Sequence, residues 1–283
     1  MTVLGKSDGQ MTGEQLGDAE LVRLGLQVTW AVRSDIGKRR ARNEDSAVCT
    51  GVLFSVADGM GGHAAGDLAS AAVVEQFAAE HLSYPVSAEA VYGSLTRASE
   101  SVARISAAAA RDAGTTVTGA ALSVQNSVPS WLIFNIGDSR VYAFAQGELV
   151  QVTRDHSVVG ELVARGKITP AEAEVHPDRN QILKAIGFDM DPVPDFWATP
   201  LNDGLRLLVC SDGLSKEVRD PQIAHILGSE QTPSAAADRL VQQALDNSGS
   251  DNITVIVVDT ATSAPSMEPI LADGDTDEED TIQ

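Results

Sequence analysis

The order of its apolar runs predicts an α+β fold for this chain, a largely antiparallel β-sandwich with helices on its outer faces. Three observations predict it. Strand-like and helix-like stretches do not alternate regularly, as a doubly wound parallel sheet requires. They come instead as strand, helices, strands, small helices, strand, helix, strand. The chain has 283 residues, of which 43% are apolar, enough for one sizeable core.

Residues 1–26 are Gly-rich and polar with no sustained period, and are expected to form a mobile arm. Residues 27–33 are the first expected strand. Residues 53–57 are a short apolar run halted by Asp58-Gly59, the pattern of a buried strand ending in a turn. Residues 67–81 and 87–112 carry helical spacing and much Ala. The middle then turns to β character, with runs at 116–124, 131–136, 140–145 and 149–152. The Gln146-Gly147 pair makes the last two a hairpin. Short helices are expected at 158–165 and 170–175. Residues 205–210 form another buried strand ended by Asp-Gly, 233–247 a helix, and 253–259 the final strand. After residue 260 there are too few apolar side chains to pack, so 260–283 is expected to be a disordered acidic tail. The single folded domain is expected over 27–259.

The chain carries 40 acidic and 20 basic residues, a formal net charge of −20. Seven of the acids and none of the bases lie in the tail, so the body is acidic in its own right, with 33 acids against 20 bases. That balance argues against nucleic acid or an anionic lipid surface as a partner, since both need clustered Lys and Arg. Aromatic residues are only 4%, so the core must rest on Ala, Val, Leu and Ile. The two cysteines, Cys49 and Cys210, sit in apolar stretches and read as core residues of a reducing compartment. Residues 1–25 lack a signal-peptide pattern, and no run of 18 apolar residues exists to span a membrane. A cytoplasmic monomer is the expectation.

The aspartates carry the chemistry. Asp58 follows Leu53-Phe54-Ser55-Val56-Ala57, and Asp138 follows the apolar run that ends at Ile136-Gly137. Asp212 follows Leu207-Leu208-Val209-Cys210-Ser211, while Asp251 and Asn252 immediately precede Ile253. Each stands at the mouth of a buried strand. Asp-Gly is a common turn dipeptide, and this chain has five, so one such pair alone signals only a turn. Four strand-end aspartates are different if the strands converge. Their mutual repulsion is then tolerable only around a multivalent cation, and hard oxygen donors select Mg²⁺ or Mn²⁺. Gly59 would let its carbonyl approach such an ion closely.

Two loops accompany them. Residues 35–45 hold four cations and three acids, and are either a solvated connection or a phosphate grip in which one arginine uses its planar fork. Glu44 and Asp45 would then face the metals. The stretch Asp58-Gly59-Met60-Gly61-Gly62-His63 precedes a helix, permits close backbone approach, and brings one histidine that could protonate a leaving group.

Together these elements resemble the metal-dependent protein phosphatases of type 2C, the PPM family, in its bacterial branch. The matching stretches are Asp35-Ile36-Gly37 through Arg40 to Asn43-Glu44-Asp45, then Asp58 through His63, Gly114-Thr115-Thr116, Gly137-Asp138-Ser139-Arg140, Asp155-His156-Ser157, Ser211-Asp212-Gly213-Leu214 and Asp251-Asn252-Ile253-Thr254. The resemblance implies two stacked antiparallel sheets flanked by helices (α-β-β-α), with metals in a channel at one end. It implies Asp58 as the carboxylate bridging two Mg²⁺ or Mn²⁺ ions, with the Gly59 carbonyl on one and Asp212 and Asp251 on the other. Glu44 would act mainly through water, and Asp138 with Asp212 would hold a weaker third ion. Arg40 would grip phosphate, His63 would serve as general acid, and Asp45 and Asn252 would orient the residues around the ions. The segment from residue 158 to 196 resembles the family's variable flap.

The implied activity is hydrolysis of phosphoserine and phosphothreonine in proteins by a metal-activated water, opposing a bacterial Ser/Thr protein kinase. Two alternatives stand beside it. One is a phosphatase of an anti-sigma-antagonist type of protein. The other is a pseudophosphatase that binds phosphoproteins without cleaving them.

Overall fold

In the computed structural model, which describes residues 1–61, 65–109, 112–188 and 193–263, two β-sheets lie face to face. Strands β1 (Thr2–Gly5) and β2 (Asp8–Thr12) and helices α1 (Gly13–Leu16) and α2 (Ala19–Arg23) come first. They are followed by β3 (Gln27–Asp35), β4 (Asp45–Cys49), β5 (Leu53–Met60), α3 (Ala65–Ala79) and α4 (Ala88–Ala109). The β-rich middle holds β6 (Gly114–Thr115), β7 (Val117–Gln125), β8 (Val128–Ile136), β9 (Arg140–Ala145) and β10 (Glu148–Gln151). Helices α5 (Val158–Ala164) and α6 (Pro170–Glu174) lead to β11 (Asp195–Pro200) and β12 (Leu205–Cys210). The chain closes with α7 (Asp212–Ser215), α8 (Asp220–Ser229), α9 (Pro233–Asn247) and β13 (Ile253–Ala261).

One sheet runs β1-β4-β5-β7-β8-β11, with β6 also paired to β5; the other runs β10-β9-β12-β13-β3-β2. The second sheet is antiparallel throughout. The first departs from the antiparallel expectation only at β1, which runs parallel to β4. Between the sheets, Trp30 of β3, Phe54 of β5 and Trp131 of β8 meet edge to face, with centroids 5.2 and 5.9 Å apart. Val56, Ile133, Leu207, Val209, Ile256 and Val258 fill the space around them. The opposite faces are apolar too. Helices α3 and α4 cover the first sheet over Leu53, Val117 and Phe134, and α8 and α9 cover the second over Leu208, Val255 and Val257. Strands buried on both sides read as near-continuous apolar runs, which is why β12 and β13 stand out in the sequence. The β9–β10 hairpin turns at Gln146 and Gly147, whose φ values of 54° and 84° suit a two-residue turn.

The mobile arm expected at residues 1–26 is instead built into the fold. Strand β1 extends the first sheet and β2 the second, so Lys6 and Ser7 cross from one sheet to the other. The Trp30 indole donates to Lys6 O at 3.0 Å, and Gly9 leaves room for its ring, since a Cβ there would lie 2.2 Å from it. The polar residues that suggest mobility are helix caps. Thr12 and Gln15 form a capping box on α1, and the Asp18 carboxylate accepts from the N–H groups of Glu20 and Leu21 on α2. Leu21 and Leu26 are fully buried in the inter-sheet core. At the other end, β13 runs to Ala261, and residues 264–283 lie outside the described residues.

Candidate metal centre

Strand pairing sets the site at one end of the sandwich. Asp45 of β4 and Asp58 of β5 are direct partners in the first sheet. Asp212 and Asp251 flank the paired ends of β12 and β13 in the second. A hydrogen bond joins the two sheets here: Ser211 Oγ donates to Asp45 Oδ2 at 2.8 Å and accepts from Thr254 N at 3.0 Å.

The backbone around Asp58 is held from three sides. Its N–H donates to Thr116 Oγ1 at 3.1 Å, and its carbonyl accepts from Thr115 Oγ1 and Thr116 N, each at 2.9 Å. Thr116 Oγ1 lies 2.8 Å from Ser139 Oγ, which ties β5 to the loop carrying Asp138. Gly59 N donates to Glu44 O at 3.1 Å. A Cβ on Gly59 would fall 2.1 Å from Gly66 O and 2.6 Å from Glu44 O, so only glycine lets β5, α3 and the Glu44 backbone meet.

The loop of residues 36–44 is anchored by Asn252. Its Nδ2 donates to Ile36 O and Arg42 O, both at 2.9 Å, and its Oδ1 accepts from Glu44 N at 2.8 Å. Arg40 reaches back over this loop, and its Nη2 donates to Asp251 Oδ2 at 2.8 Å. Burial works against the Arg40 charge, but Asp251, and beyond it Asp58 and Glu44, outweigh burial and raise its pKa.

Asp138 sits in a tight loop. Asn135 Nδ2 and His156 N both donate to Gly137 O, at 3.0 and 2.8 Å, and Gly137 N donates to His156 Nδ1 at 3.2 Å. The other edge of the imidazole lies 3.2 Å from Asp195 Oδ2 on β11.

Electrostatics orders these carboxylates. Asp58 is central: burial first, then Asp45, Asp212, Asp138 and Asp251, push its pKa well above the carboxylate range. Burial likewise pushes Asp45 and Asp138 each up to about 7, with Asp212 adding to both. Glu44 lies toward the Arg40 side, raised by burial, with Arg40 opposing and Asp67 and Asp251 reinforcing.

Among the described residues, no three Asp, Glu, His or Cys side chains close up into a ready-made cage. Arg40 holds Asp251, and the Lys216 ammonium holds Asp212. The donor set nevertheless fits a hard divalent cation. Asp45 Oδ1, Asp138 Oδ1 and Asp212 Oδ1 are buried with no hydrogen-bond partner, an arrangement that is costly unless a cation serves them. His63 lies outside the described residues.

Several contributors carry no role in the sequence reading. Thr116 and Ser211 act through hydrogen bonds across strands, and only their place beside Gly114-Thr115 and Asp212 marks them. Asp67 of α3 also has a buried, unpartnered Oδ1, 3.9 Å from Arg42 on its other oxygen. Lys216 has a visible signal, its spacing four residues after Asp212 at a helix start. Cys49 and Cys210 are buried free thiols.

Known proteins resemble this chain in sequence and in fold. The family model described as protein phosphatase 2C matches residues 38–249. The serine/threonine protein phosphatase PstP of Mycobacterium tuberculosis is 38% identical over 272 residues, covering 93% of this chain and 51% of the relative. This chain thus spans about half the length of that curated relative. The serine/threonine phosphatase stp of Listeria monocytogenes is 36% identical over 243 residues, covering 80% of this chain and 94% of the relative. Among solved structures, the catalytic domain of the serine threonine protein phosphatase PstP in complex with two manganese ions superposes with a TM-score of 0.74 at 34% identity. That match covers 83% of this chain and 99% of the other. A family model running from the cationic loop to the end of α9, together with the Listeria relative matched along nearly its whole length, leads to one conclusion: this chain belongs to the protein phosphatase 2C family.

Proposed function

We propose that this chain hydrolyses phosphoserine and phosphothreonine in proteins, with two Mg²⁺ or Mn²⁺ ions and a weaker third. One observation carries the reading: three buried carboxylate oxygens without partners, on Asp45, Asp138 and Asp212, surround an Asp58 that cannot comfortably ionise alone. The names of its relatives, serine/threonine phosphatases, and the manganese bound to one of them support it.

Asp58, the Gly59 carbonyl, Asp212 and Asp251 would hold the two main ions, with Glu44 acting through water and Asp138 joining Asp212 at the third. When bound, the ions supply Lewis acidity that polarises the phosphate and acidifies water. Asp45 orients the centre through Ser211 and Thr254, and Asn252 keeps the 36–44 loop closed over it. Arg40 exchanges its contact with Asp251 for the phosphoryl oxygens, which its planar fork matches. His63 donates a proton to the leaving seryl or threonyl oxygen.

The physiological partners in this reading are Ser/Thr-phosphorylated proteins and an opposing Ser/Thr kinase. Two buried free cysteines fit a reducing compartment, and the reading takes the cytoplasm as the place of action. Among the described residues no helix is long and apolar enough to cross a membrane.

The test is hydrolysis of p-nitrophenyl phosphate and of phosphothreonine peptides with and without Mn²⁺. Phosphate release that stops with EDTA and returns with excess Mn²⁺ is expected. Binding of phosphopeptide without release would instead indicate a pseudophosphatase.

A further inference from the structure

Asp212 opens α7, and one helical turn later Lys216 returns to it: Lys216 N donates to Asp212 O at 2.8 Å, and its Nζ donates to Asp212 Oδ2. The ammonium also stands in the field of Asp138 and Asp58. Burial works to lower its pKa, and these three carboxylates outweigh burial and raise it. Asp138 and Asp212 are 6% and 8% exposed, and each keeps an Oδ1 that nothing serves. The other cation near Asp138 is already committed, since Arg140 binds Asp155 through Nε and Nη2 at 2.7 to 3.1 Å. The Lys216 side chain is 38% exposed, so part of its length already meets solvent.

We propose that Lys216 is an internal counter-ion for the Asp138–Asp212 side of the centre: it holds these carboxylates together in the metal-free protein, and a divalent ion takes that side only by displacing it. The inference rests on the metal-dependent reading above. A single positive charge on a flexible stem competes with a double charge for the same oxygens, so it weakens ion uptake there without forbidding it.

Isothermal titration of the full chain with MnCl₂ tests this, comparing wild type, Lys216→Met, Lys216→Gln and Lys216→Arg. Lys216→Met and Lys216→Gln should take up one more ion per chain, or bind their weakest ion about tenfold more tightly. Lys216→Arg, which keeps the charge, should follow the wild type. Adding Asp138→Asn to Lys216→Met should erase the gain. Equal stoichiometry and affinities in wild type and in both neutral variants would overturn the proposal and leave the metal-dependent reading standing. Absence of Mn²⁺ uptake in every protein would overturn both.

Discussion

At the scale of single residues, the site divides into groups that would hold ions and groups that would hold phosphate, and substitutions should separate them. Asp212→Ala removes a carboxylate from the middle of the cluster, so kcat with Mn²⁺ should fall on the order of 10³-fold or more, measured on p-nitrophenyl phosphate. Arg40→Ala would remove the charge-assisted grip on phosphate proposed above. KM should rise about 10- to 100-fold, with kcat changing less, in steady-state assays on a phosphopeptide. The strand-end aspartates were legible in the sequence because each borders a long apolar run, a juxtaposition that only a buried strand with a polar mouth produces. Ser211 and Thr116 were not legible as partners. Their work is done across strands, and nothing in a local window reveals the acceptor. Lys216 stands four residues after Asp212, a spacing the sequence does show.

At the scale of elements, the joint between β5 and α3 and the first 26 residues are the places to probe. Gly59→Ala would drive a methyl into the Gly66 and Glu44 carbonyls, neither of which can yield as a side chain would. A loss of about 3 kcal/mol in urea unfolding is expected. Leu21→Ala should cost about 2–4 kcal/mol by the same measurement, because Leu21 is fully buried in the inter-sheet core; a mobile arm would lose nothing. Strand β9, strand β12 and helix α9 were visible in the sequence with these same bounds: β12 through burial on both faces, α9 through its helical stripe, and β9 through its β-branched and aromatic residues and the Gln146-Gly147 turn that follows it. The N-terminal strands and helices are four or five residues each, too short to display a period, and their glycines and polar caps imitate a loop. Strand β4 was hidden for another reason. It begins with Asp45 and Ser46, buried polar residues whose side chains bond Ser211 and Ser70, so its sequence does not look like a core strand.

At the scale of the whole molecule, the carboxylate cluster couples stability to pH and to metal. Asp45 and Asp138 titrate near 7 in the fold and near 4 in an unfolded chain. Between those values the fold retains protons that the unfolded chain has released. Stability in the presence of EDTA should therefore be greatest below about pH 4 from this source, and fall as pH rises through 4 to 7. Urea midpoints at pH 5.5 and pH 8 would show the fall. Saturating Mn²⁺ should abolish it and raise Tm, since an ion at about 100 times its Kd contributes about 2.7 kcal/mol.

The N-terminal crossing from one sheet to the other carries a consequence for solubility. Without it, the nine-residue β3 and the wholly buried β4 would be the outermost strands, each with a long bare row of amide groups. Strands of five and four residues, bearing Asp8, Gln10 and Thr2, cap those rows instead. A chain trimmed back to residue 27 would offer two sticky rims to its neighbours, and would be expected to polymerise by backbone pairing.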